Sequence, residues 1–405
     1  MANSGEKNGR PLRPETRLLR AGRDKSIAGS FVNPPVVHAS TVLFESVDDM
    51  HHLRQRYEYG RLGTPTSDAL EEAVAELEGA DGVTLCPSGL SAVATALLSC
   101  LSAGDQILIV DSVYGPVRRL ADTVLKRLGV EMIYYDPLIG GGIESLFTER
   151  TRAVYLESPG SLTFEMQDVA AIAAVAHHHG ATVLCDNTWA TPLYFRALDH
   201  GVDLSIISGT KYLGGHSDVM LGTVAARGAA WTRLRQTTVA LGTHVAPDDV
   251  YLGLRGMRTL AVRLPRHWQS AMIVATWLAG RPEVERVLYP PLANDPGHAL
   301  WKRDMTGASG LFSVAFKGWT HERAARFVDG LELFGIGASW GGFESLATLP
   351  HPIRTASALT WQRPVRTATA PPIEGTLVRL HIGLEDPADL LADIDASLTR
   401  VAALP

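Results

Sequence analysis

Apolar and polar positions between Thr66 and Leu213 follow two spacings in turn, one typical of strands and one typical of helices. Short apolar runs rich in β-branched and aromatic residues predict strands at residues 105–111, 130–136, 152–158, 181–187 and 204–210. Apolar residues three and four positions apart predict helices at residues 70–80, 91–104, 117–129 and 169–180. Strands that alternate with helices in this way predict an α/β domain with a mostly parallel sheet covered on both faces.

After about Leu264 the predicted elements become sparser. The pattern predicts helices at residues 266–280, 321–334 and 387–404, and strands at residues 309–318 and 376–384. This arrangement is typical of a smaller α+β domain. We therefore expect a large α/β domain over residues 64–263 and a C-terminal α+β domain over residues 264–405. Residues 1–63 precede both as an N-terminal arm that begins with a polar, basic stretch.

Composition and charge exclude several classes of protein. The chain has 405 residues, of which 46% are hydrophobic and 20% are charged. No apolar run approaches the ~18 residues that span a bilayer, and the N-terminal stretch lacks the apolar core of a secretion signal. The net charge of −6 gives no electrostatic support for nucleic-acid binding. Three cysteines, far apart in apolar surroundings, predict reduced thiols and a cytoplasmic location.

Polar side chains follow the predicted strands at the end where each strand stops. They are Ser112 and Tyr114, then Glu157 and Ser158, then Asp186, Asn187 and Thr188, and finally Ser208, Thr210 and Lys211. Ligands of open α/β sheets bind outside the carboxyl ends of the strands, which is where these residues would meet. The sequence therefore predicts one sheet edge that carries an aromatic ring, two acids, several hydroxyl groups and a single amine.

This set of groups fits the chemistry of pyridoxal 5′-phosphate (PLP). A lysine in an apolar site has a lowered pKa and acts as a nucleophile or base, which is the role expected of Lys211. Schiff-base chemistry with PLP also needs an acid against the pyridinium nitrogen, and Asp186 could supply it. The helix that begins at residues 88–90 offers free N–H groups to the phosphate, and Ser208 and Thr210 can add hydroxyl groups.

Each of these signals alone has a plainer interpretation. A strand-end lysine is usually solvated, a Ser-Gly helix start is more often an ordinary N-cap, and Asp186 could cap its own turn. The order of the three signals within one α/β unit favours the PLP site. No Gly-x-Gly-x-x-Gly motif follows a strand, which weakens a nicotinamide site. The three successive histidines at 177–179 point in different directions on a helix, so no metal site is predicted.

Several longer motifs give a family resemblance that covers nearly the whole chain. They include PSGLSAV, VLCDNTWATP, SIISGTKYLGGHSD, ASWGGFESL and VRLHIGLED. Through these motifs the sequence resembles the PLP-dependent enzymes of cysteine and methionine metabolism. The resemblance implies the fold-type I PLP-dependent transferase fold, with a mostly parallel seven-stranded sheet in the large domain and a smaller α+β C-terminal domain.

The resemblance also implies roles in cofactor binding for individual residues. Lys211 would hold PLP covalently and, once released by the substrate, would move the Cα proton. Asp186 would pair with the pyridinium nitrogen, and Tyr114 would stack on the ring and take part in catalysis. The residues implied to hold the phosphate are Gly89, Leu90, Ser208 and Thr210.

The same resemblance implies a substrate site and a contribution from a second subunit. Arg379 and Ser339 would clamp the substrate α-carboxylate. The side chains expected around the substrate are Arg379, Ser339, Trp340 and Tyr114. Tyr59 and Arg61 would reach into a neighbouring subunit's site, where Tyr59 would be catalytic and both would contact the cofactor, Arg61 at its phosphate. We therefore expect a homotetramer built from two active dimers.

The implied reaction is α,β-elimination of the amino-acid thioether L-cystathionine, a step of methionine biosynthesis that gives homocysteine, pyruvate and ammonia. Relatives that act at Cγ tend to carry a glutamate at the position of Ala338, and Trp340 is the residue expected of Cβ-acting members. Cβ-acting members, however, often have a tyrosine in place of Ala338 and an arginine in place of Leu62. The alternatives are a cysteine-S-conjugate or cystine β-lyase, an enzyme of the cystathionine γ-synthase or γ-lyase type, and a PLP-binding protein without turnover.

Overall fold

The structure is a computed structural model that describes residues 6–7, 10–23, 29–357 and 376–403. Its strands are β1 (Glu6–Lys7), β2 (Arg10–Pro11), β3 (Gly82–Cys86), β4 (Gln106–Val110), β5 (Glu131–Tyr135), β6 (Thr151–Glu157), β7 (Thr182–Asp186), β8 (Leu204–Ile207), β9 (Gly222–Ala226), β10 (Val284–Leu288), β11 (Leu311–Phe316), β12 (Gly335–Ile336), β13 (Leu346–Thr348) and β14 (Thr376–His381). The predicted N-terminal arm falls partly on residues 1–5, 8–9 and 24–28, which lie outside the described residues.

Helices surround these strands. They are α1 (Pro14–Arg20), α2 (Val47–His52), α3 (Pro65–Glu78), α4 (Gly89–Leu98), α5 (Gly115–Leu120), α6 (Val169–His178), α7 (Thr191–Tyr194), α8 (Gly228–Ala240), α9 (Pro247–Met257), α10 (Leu260–Ala279), α11 (His298–Asp304), α12 (His321–Asp329) and α13 (Pro387–Ala402). A π turn, Ala121–Leu125, continues α5, and 3₁₀ turns occupy Gly140–Leu146 and Ala197–His200. Within the described ranges, no helix has the length and apolar character needed to cross a membrane.

Seven strands form the large sheet, in the order β3-β9-β8-β7-β6-β4-β5. Neighbouring strands run parallel except β9, which is antiparallel to both β3 and β8. The predicted mostly parallel seven-stranded sheet is therefore confirmed. β4 and β8 are buried along their whole length, which explains why their sequences are continuous apolar runs rather than alternating ones.

Local sequence signals fix the helices nearest the sheet edge. Thr64 forms a capping box with Ser67 at the start of α3, and Gly79 ends this helix in the left-handed conformation with φ of 67°. Ser88 caps α4 by accepting a hydrogen bond from the N–H of Ser91 at 3.1 Å. Helix α4 packs against β8 and β9, which brings its N-terminus to the carboxyl end of β8.

Five strands form the second sheet, in the order β10-β11-β14-β13-β12. Neighbours are antiparallel except β12 and β13. Helix α10 packs on β10 and β11, α12 packs on β14, and α13 packs against both helices. The predicted smaller α+β part of the fold is confirmed, although its long helix already begins at Leu260.

A buried carboxylate ties the segment 354–357 to the large sheet. Asp111 follows β4, and its side chain accepts hydrogen bonds from three consecutive backbone N–H groups, those of Thr355, Ala356 and Ser357, at 2.8 to 3.0 Å. Arg118 also donates to this carboxylate at 2.6 Å. Burial raises the pKa of Asp111, but the hydrogen bonds outweigh it and lower the pKa to about 2.

Replacing Asp111 with alanine is expected to lower the free energy of unfolding by about 3 kcal/mol, because buried N–H groups and a guanidinium lose their acceptor. In the wild type, a carboxyl with a pKa near 2 in the folded state and 3.8 in the unfolded state stabilises the fold at neutral pH. This stabilisation, about 2 kcal/mol, is lost as pH falls from the unfolded-state value through the folded-state value. Urea unfolding at about pH 7 and about pH 3 measures both effects.

Glu149→Gln, at an exposed carboxylate, is the control for removing a negative charge without disturbing this contact. The stability difference between wild type and Asp111→Asn should shrink on acidification, because the wild-type carboxylate then becomes protonated. A difference that stays constant over this pH range would contradict the lowered pKa of Asp111.

Candidate active site

The parallel order of the strands gathers the predicted polar strand ends. β6 and β7 are neighbours, and their last residues, Glu157 and Asp186, are partners in the strand register. β7 pairs with β8 so that Asp186 lies opposite Ile206, two residues before Ser208. Lys211 lies in the turn that follows β8. Both carboxyl groups and the amine therefore come to one edge of the sheet, as the sequence predicts.

The Lys211 amine faces a loop of the second sheet. Its Nζ donates a hydrogen bond to Ser339 Oγ at 2.5 Å and lies 5.5 Å from the centre of the Trp340 ring. Burial lowers the pKa of Lys211 to about 8, the charge of Arg379 lowers it further, and the charge of Asp186 opposes both. A larger fraction of such an amine is neutral at physiological pH than of an exposed lysine. Only the neutral amine acts as a nucleophile or base.

Asp186 is oriented by the residue two positions after it. Thr188 donates to Asp186 Oδ1 from its backbone N–H at 3.0 Å and from its hydroxyl at 2.5 Å. Burial raises the pKa of Asp186, while the hydrogen bonds from Thr188 and the charge of Lys211 oppose the rise. The Thr188 hydroxyl oxygen also accepts from the N–H of Ser208 at 2.9 Å. One threonine therefore joins the ends of β7 and β8.

The neighbouring carboxyl group, Glu157, has a different environment. Its Oε2 accepts a hydrogen bond from the backbone N–H of Tyr114 at 2.7 Å. Burial raises the pKa of Glu157 well above its usual value, and the charge of Asp186 adds to the rise. Tyr114 precedes α5, and its side chain is 46% exposed, which leaves the ring accessible to a ligand.

The N-terminus of α4 meets the end of β8 without room for a side chain. A Cβ on Gly89 would lie 2.5 Å from Ser208 Oγ, so the backbone approach requires glycine. Leu90 beside it is 38% exposed. The Thr210 hydroxyl accepts from the N–H of Leu221 at 2.9 Å and also lies 3.2 Å from the carbonyl oxygen of the same residue. An anion placed between Gly89 and Ser208 would meet the free N–H groups and the positive end of the helix dipole.

A loop of the second sheet, residues 339–342, forms the opposite wall and is called here the 339–342 loop. Arg379 on β14 donates from Nη2 to the carbonyl oxygen of Ser339 at 3.0 Å. Ser339 has φ of 83°, in the region that favours glycine. A Cβ on Gly341 would lie 2.8 Å from the carbonyl carbon and 3.0 Å from the Cα of Lys211. The loop therefore rests directly on the backbone that carries the amine.

Tyr59 and Arg61 make their contacts elsewhere in the chain. Tyr59 pairs with Thr41 in an isolated β-bridge, and Arg61 donates to the carbonyl oxygen of Val239 at 3.0 Å. Within one chain, these contacts do not connect the pair with the Lys211 amine. Their role in a neighbouring subunit's site stays a prediction.

Three residues beside the amine were not among the predicted site residues. They are Tyr212, Gly341 and His381, and each contacts the 339–342 loop or the segment that carries Lys211. The available sequence signal was a polar residue, His381, within an otherwise apolar strand and two positions after Arg379. Residues two apart share a side of a strand, so the spacing indicates the same neighbours for both.

The arrangement offers an amine, an oriented carboxylate and an anion-binding helix start, which are the groups that PLP needs. No donor to Asp186 Oδ2 is found in the part of the chain that the structure describes, so this oxygen is available to a ring nitrogen. Over the same residues, no group of three or more histidine, cysteine, aspartate or glutamate side chains is arranged to hold a metal ion.

Comparisons with known proteins place the chain among enzymes that share these motifs. The family described as Cys/Met metabolism PLP-dependent enzyme matches residues 15–399. Cystathionine β-lyase of Bordetella avium is 44% identical over 379 residues, which cover 92% of this chain and 93% of that protein. Cystathionine β-lyase of Escherichia coli is 42% identical over 395 residues, covering 96% and 98%. The crystal structure of cystathionine γ-synthase from Xanthomonas oryzae pv. oryzae, in complex with aminoacrylate and cysteine, matches with a TM-score of 0.87 and 34% identity, covering 97% of this chain and 100% of that chain.

Proposed function

Because this chain belongs to the Cys/Met metabolism family of PLP-dependent enzymes, we propose that it is a carbon–sulfur lyase that acts on L-cystathionine. One cystathionine and one water would give homocysteine, pyruvate and ammonia. The observation that carries the proposal is the Lys211 amine, which has a pKa of about 8 and is hydrogen bonded to Ser339. It lies at the same sheet edge as Asp186.

The described residues fit PLP in three respects. The Lys211 amine can bond covalently to an aldehyde carbon, because its lowered pKa favours the neutral form. The free Oδ2 of Asp186 can pair with a protonated ring nitrogen. The close approach of Gly89 to Ser208 leaves backbone N–H groups of α4 and a hydroxyl for the phosphate, with Leu90 and Thr210 beside them.

When bound, PLP supplies a ring that withdraws electrons from the substrate Cα. Lys211 Nζ takes the Cα proton once the substrate amine has released it from the cofactor. The electron pair of the Cα–H bond forms a Cα–Cβ double bond as the Cβ–S bond breaks. The sulfur leaves as homocysteine after taking up a proton, and water then releases pyruvate and ammonia.

Arg379 and Ser339 are proposed to hold the substrate in position for this step. The Arg379 guanidinium carries five N–H donors in a planar fork, of which the structure uses one on the Ser339 carbonyl oxygen. The remaining donors can bind a carboxylate with two parallel hydrogen bonds. Trp340 and Tyr114 would line the same cleft, since the Trp340 ring lies near Lys211 Nζ and the Tyr114 ring is half exposed.

The assembly that we propose is a homotetramer in which each site receives Tyr59 and Arg61 from a neighbouring subunit. Tyr59 is 44% exposed, so its ring is available to a second chain. Arg61 uses only one donor in the described contacts, on the carbonyl oxygen of Val239. Light scattering on the active protein measures the assembly, and a fully active monomer would contradict this arrangement.

The purified protein loaded with PLP is expected to release pyruvate and homocysteine from L-cystathionine in equal amounts. A lactate dehydrogenase assay measures pyruvate, and chromatography of the thiols distinguishes homocysteine from cysteine. Release of cysteine and 2-oxobutyrate would instead show cleavage at Cγ. Pyruvate from cystine but not from cystathionine would keep the lyase chemistry and change the substrate.

A cystathionine γ-synthase is the second candidate, because a solved structure of that name overlaps with nearly the whole chain. Ala338 opposes it, since this position offers no carboxylate beside Ser339 for chemistry at Cγ. Incubation with an activated homoserine ester and cysteine decides between the two. Net formation of cystathionine would favour the synthase over the lyase.

A further inference from the structure

Two side chains of β14 hold the 339–342 loop. Arg379 and His381 are two positions apart, so they extend from the same side of the strand. Arg379 holds the carbonyl oxygen of Ser339 at 3.0 Å. Nε2 of His381 lies 3.1 Å from the nitrogen of Gly341 and 3.1 Å from the carbonyl oxygen of Gly342. In one tautomer this ring nitrogen accepts from Gly341, and in the other it donates to Gly342.

The other ring nitrogen of His381 faces the segment that carries the amine. Nδ1 lies 3.5 Å from the hydroxyl oxygen of Tyr212, the residue that follows Lys211. The same hydroxyl accepts a hydrogen bond from the N–H of Gly310 at 2.9 Å, which fixes its position. The rings of Tyr212 and His381 lie 5.8 Å apart in an edge-to-face arrangement, and both side chains are fully buried. The imidazole therefore lies between the Lys211 segment and the 339–342 loop.

The conformation of the loop depends on such an anchor. Ser339 and Gly341 both have positive φ values, 83° and 87°. A non-glycine residue keeps this backbone conformation only where its surroundings hold it there. The backbone of Gly341 touches the backbone of Lys211, and Ser339 Oγ touches Lys211 Nζ. A displacement of the loop would therefore reach the amine at two points.

We propose that His381 is a positioning residue that holds the 339–342 loop against the Lys211 segment and thereby sets the contact between Lys211 Nζ and Ser339 Oγ. It acts through these two residues and contacts no reacting atom itself. Its effect on turnover rests on the proposed lyase function, whereas its effect on the Lys211 environment does not. Burial lowers the pKa of His381 well below its usual value, so the ring is neutral and Nε2 can accept from Gly341.

His381→Leu removes both ring nitrogens and keeps an apolar side chain of moderate size. We expect kcat for pyruvate release to fall about tenfold or more, with a smaller change in KM, because the reacting amine is displaced rather than removed. The pH midpoint of the visible absorbance of bound PLP should also shift, since Ser339 Oγ no longer touches Nζ. His381→Gln is expected to retain kcat within about threefold, because its amide can reach Gly341 and Gly342.

Leu380→Val is the matched control, at a buried neighbouring position whose side chain extends from the other side of β14. It should lower thermal stability without moving kcat or the absorbance midpoint. The proposal is overturned if His381→Leu retains both wild-type values, or if His381→Gln is as impaired as His381→Leu. If His381→Leu does not fold, His381→Asn replaces it, because the shorter amide does not reach Gly341. A wild type that forms no pyruvate from cystathionine refutes the proposed function, and the absorbance midpoint still tests His381.

Discussion

Lys211→Ala is expected to reduce pyruvate release from cystathionine by about a thousandfold or more, because the variant loses the base that takes the Cα proton. The amine is suited to this role by burial, which lowers its pKa to about 8. The variant should also lose covalent attachment of PLP. Borohydride reduction followed by intact-mass measurement tests this directly, since the wild type should gain the mass of the reduced cofactor and Lys211→Ala should not.

Two further variants separate the amine from its positive charge. Lys211→Arg keeps a cation at the position, but a guanidinium stays protonated in proteins and cannot act as the base. It should therefore be as inactive as Lys211→Ala. Lys302→Ala, at an exposed lysine on α11, should keep both activity and the mass gain. A mass gain of the same size in Lys211→Ala, accompanied by pyruvate release, would assign the chemistry to another lysine.

The set of polar residues at the sheet edge could be predicted because parallel buried strands leave a clear signal. The apolar runs of β6, β7 and β8 are long enough to be recognised, and the parallel order fixes which of their ends meet. Asp186 and Lys211 follow directly from that reasoning. The family resemblance added residues that the local pattern could not connect, such as Ser339, which lies 128 residues from Lys211 in the sequence.

Other parts of the fold depend on contacts that no local pattern contains. Strand β9 was not predicted, because its residues are small and its place in the sheet depends on the neighbours on either side. A Cβ on Gly222 would lie 2.3 Å from the carbonyl oxygen of Ser88, so the strand and the start of α4 are matched to each other. The helix predicted over 117–129 is instead a short α5 and a π turn. The contacts of His381 join three distant segments, which the sequence shows only as a polar residue in an apolar strand.

Asp186→Asn is expected to lower kcat by about a hundredfold or more and to weaken PLP binding, because a neutral amide cannot keep the ring nitrogen protonated. The substitution is nearly isosteric, and Oδ1 of the asparagine can still accept from Thr188. Loss of activity would therefore report the missing charge rather than a changed position. Equilibrium dialysis measures the affinity for PLP independently of turnover.

Glu157→Gln provides the contrast, because Glu157 is the register partner of Asp186 and is also buried. Two carboxyl groups so close together are not both ionised, and the one with a cation beside it keeps its charge. Lys211 lowers the pKa of Asp186, whereas burial and the charge of Asp186 raise the pKa of Glu157. Glu157 is therefore protonated when Asp186 is charged, and the amide of Glu157→Gln can still accept from the N–H of Tyr114. Its kcat should stay within about threefold of wild type. Equal losses in both variants would show that the charge is shared between the two carboxyl groups rather than held on Asp186.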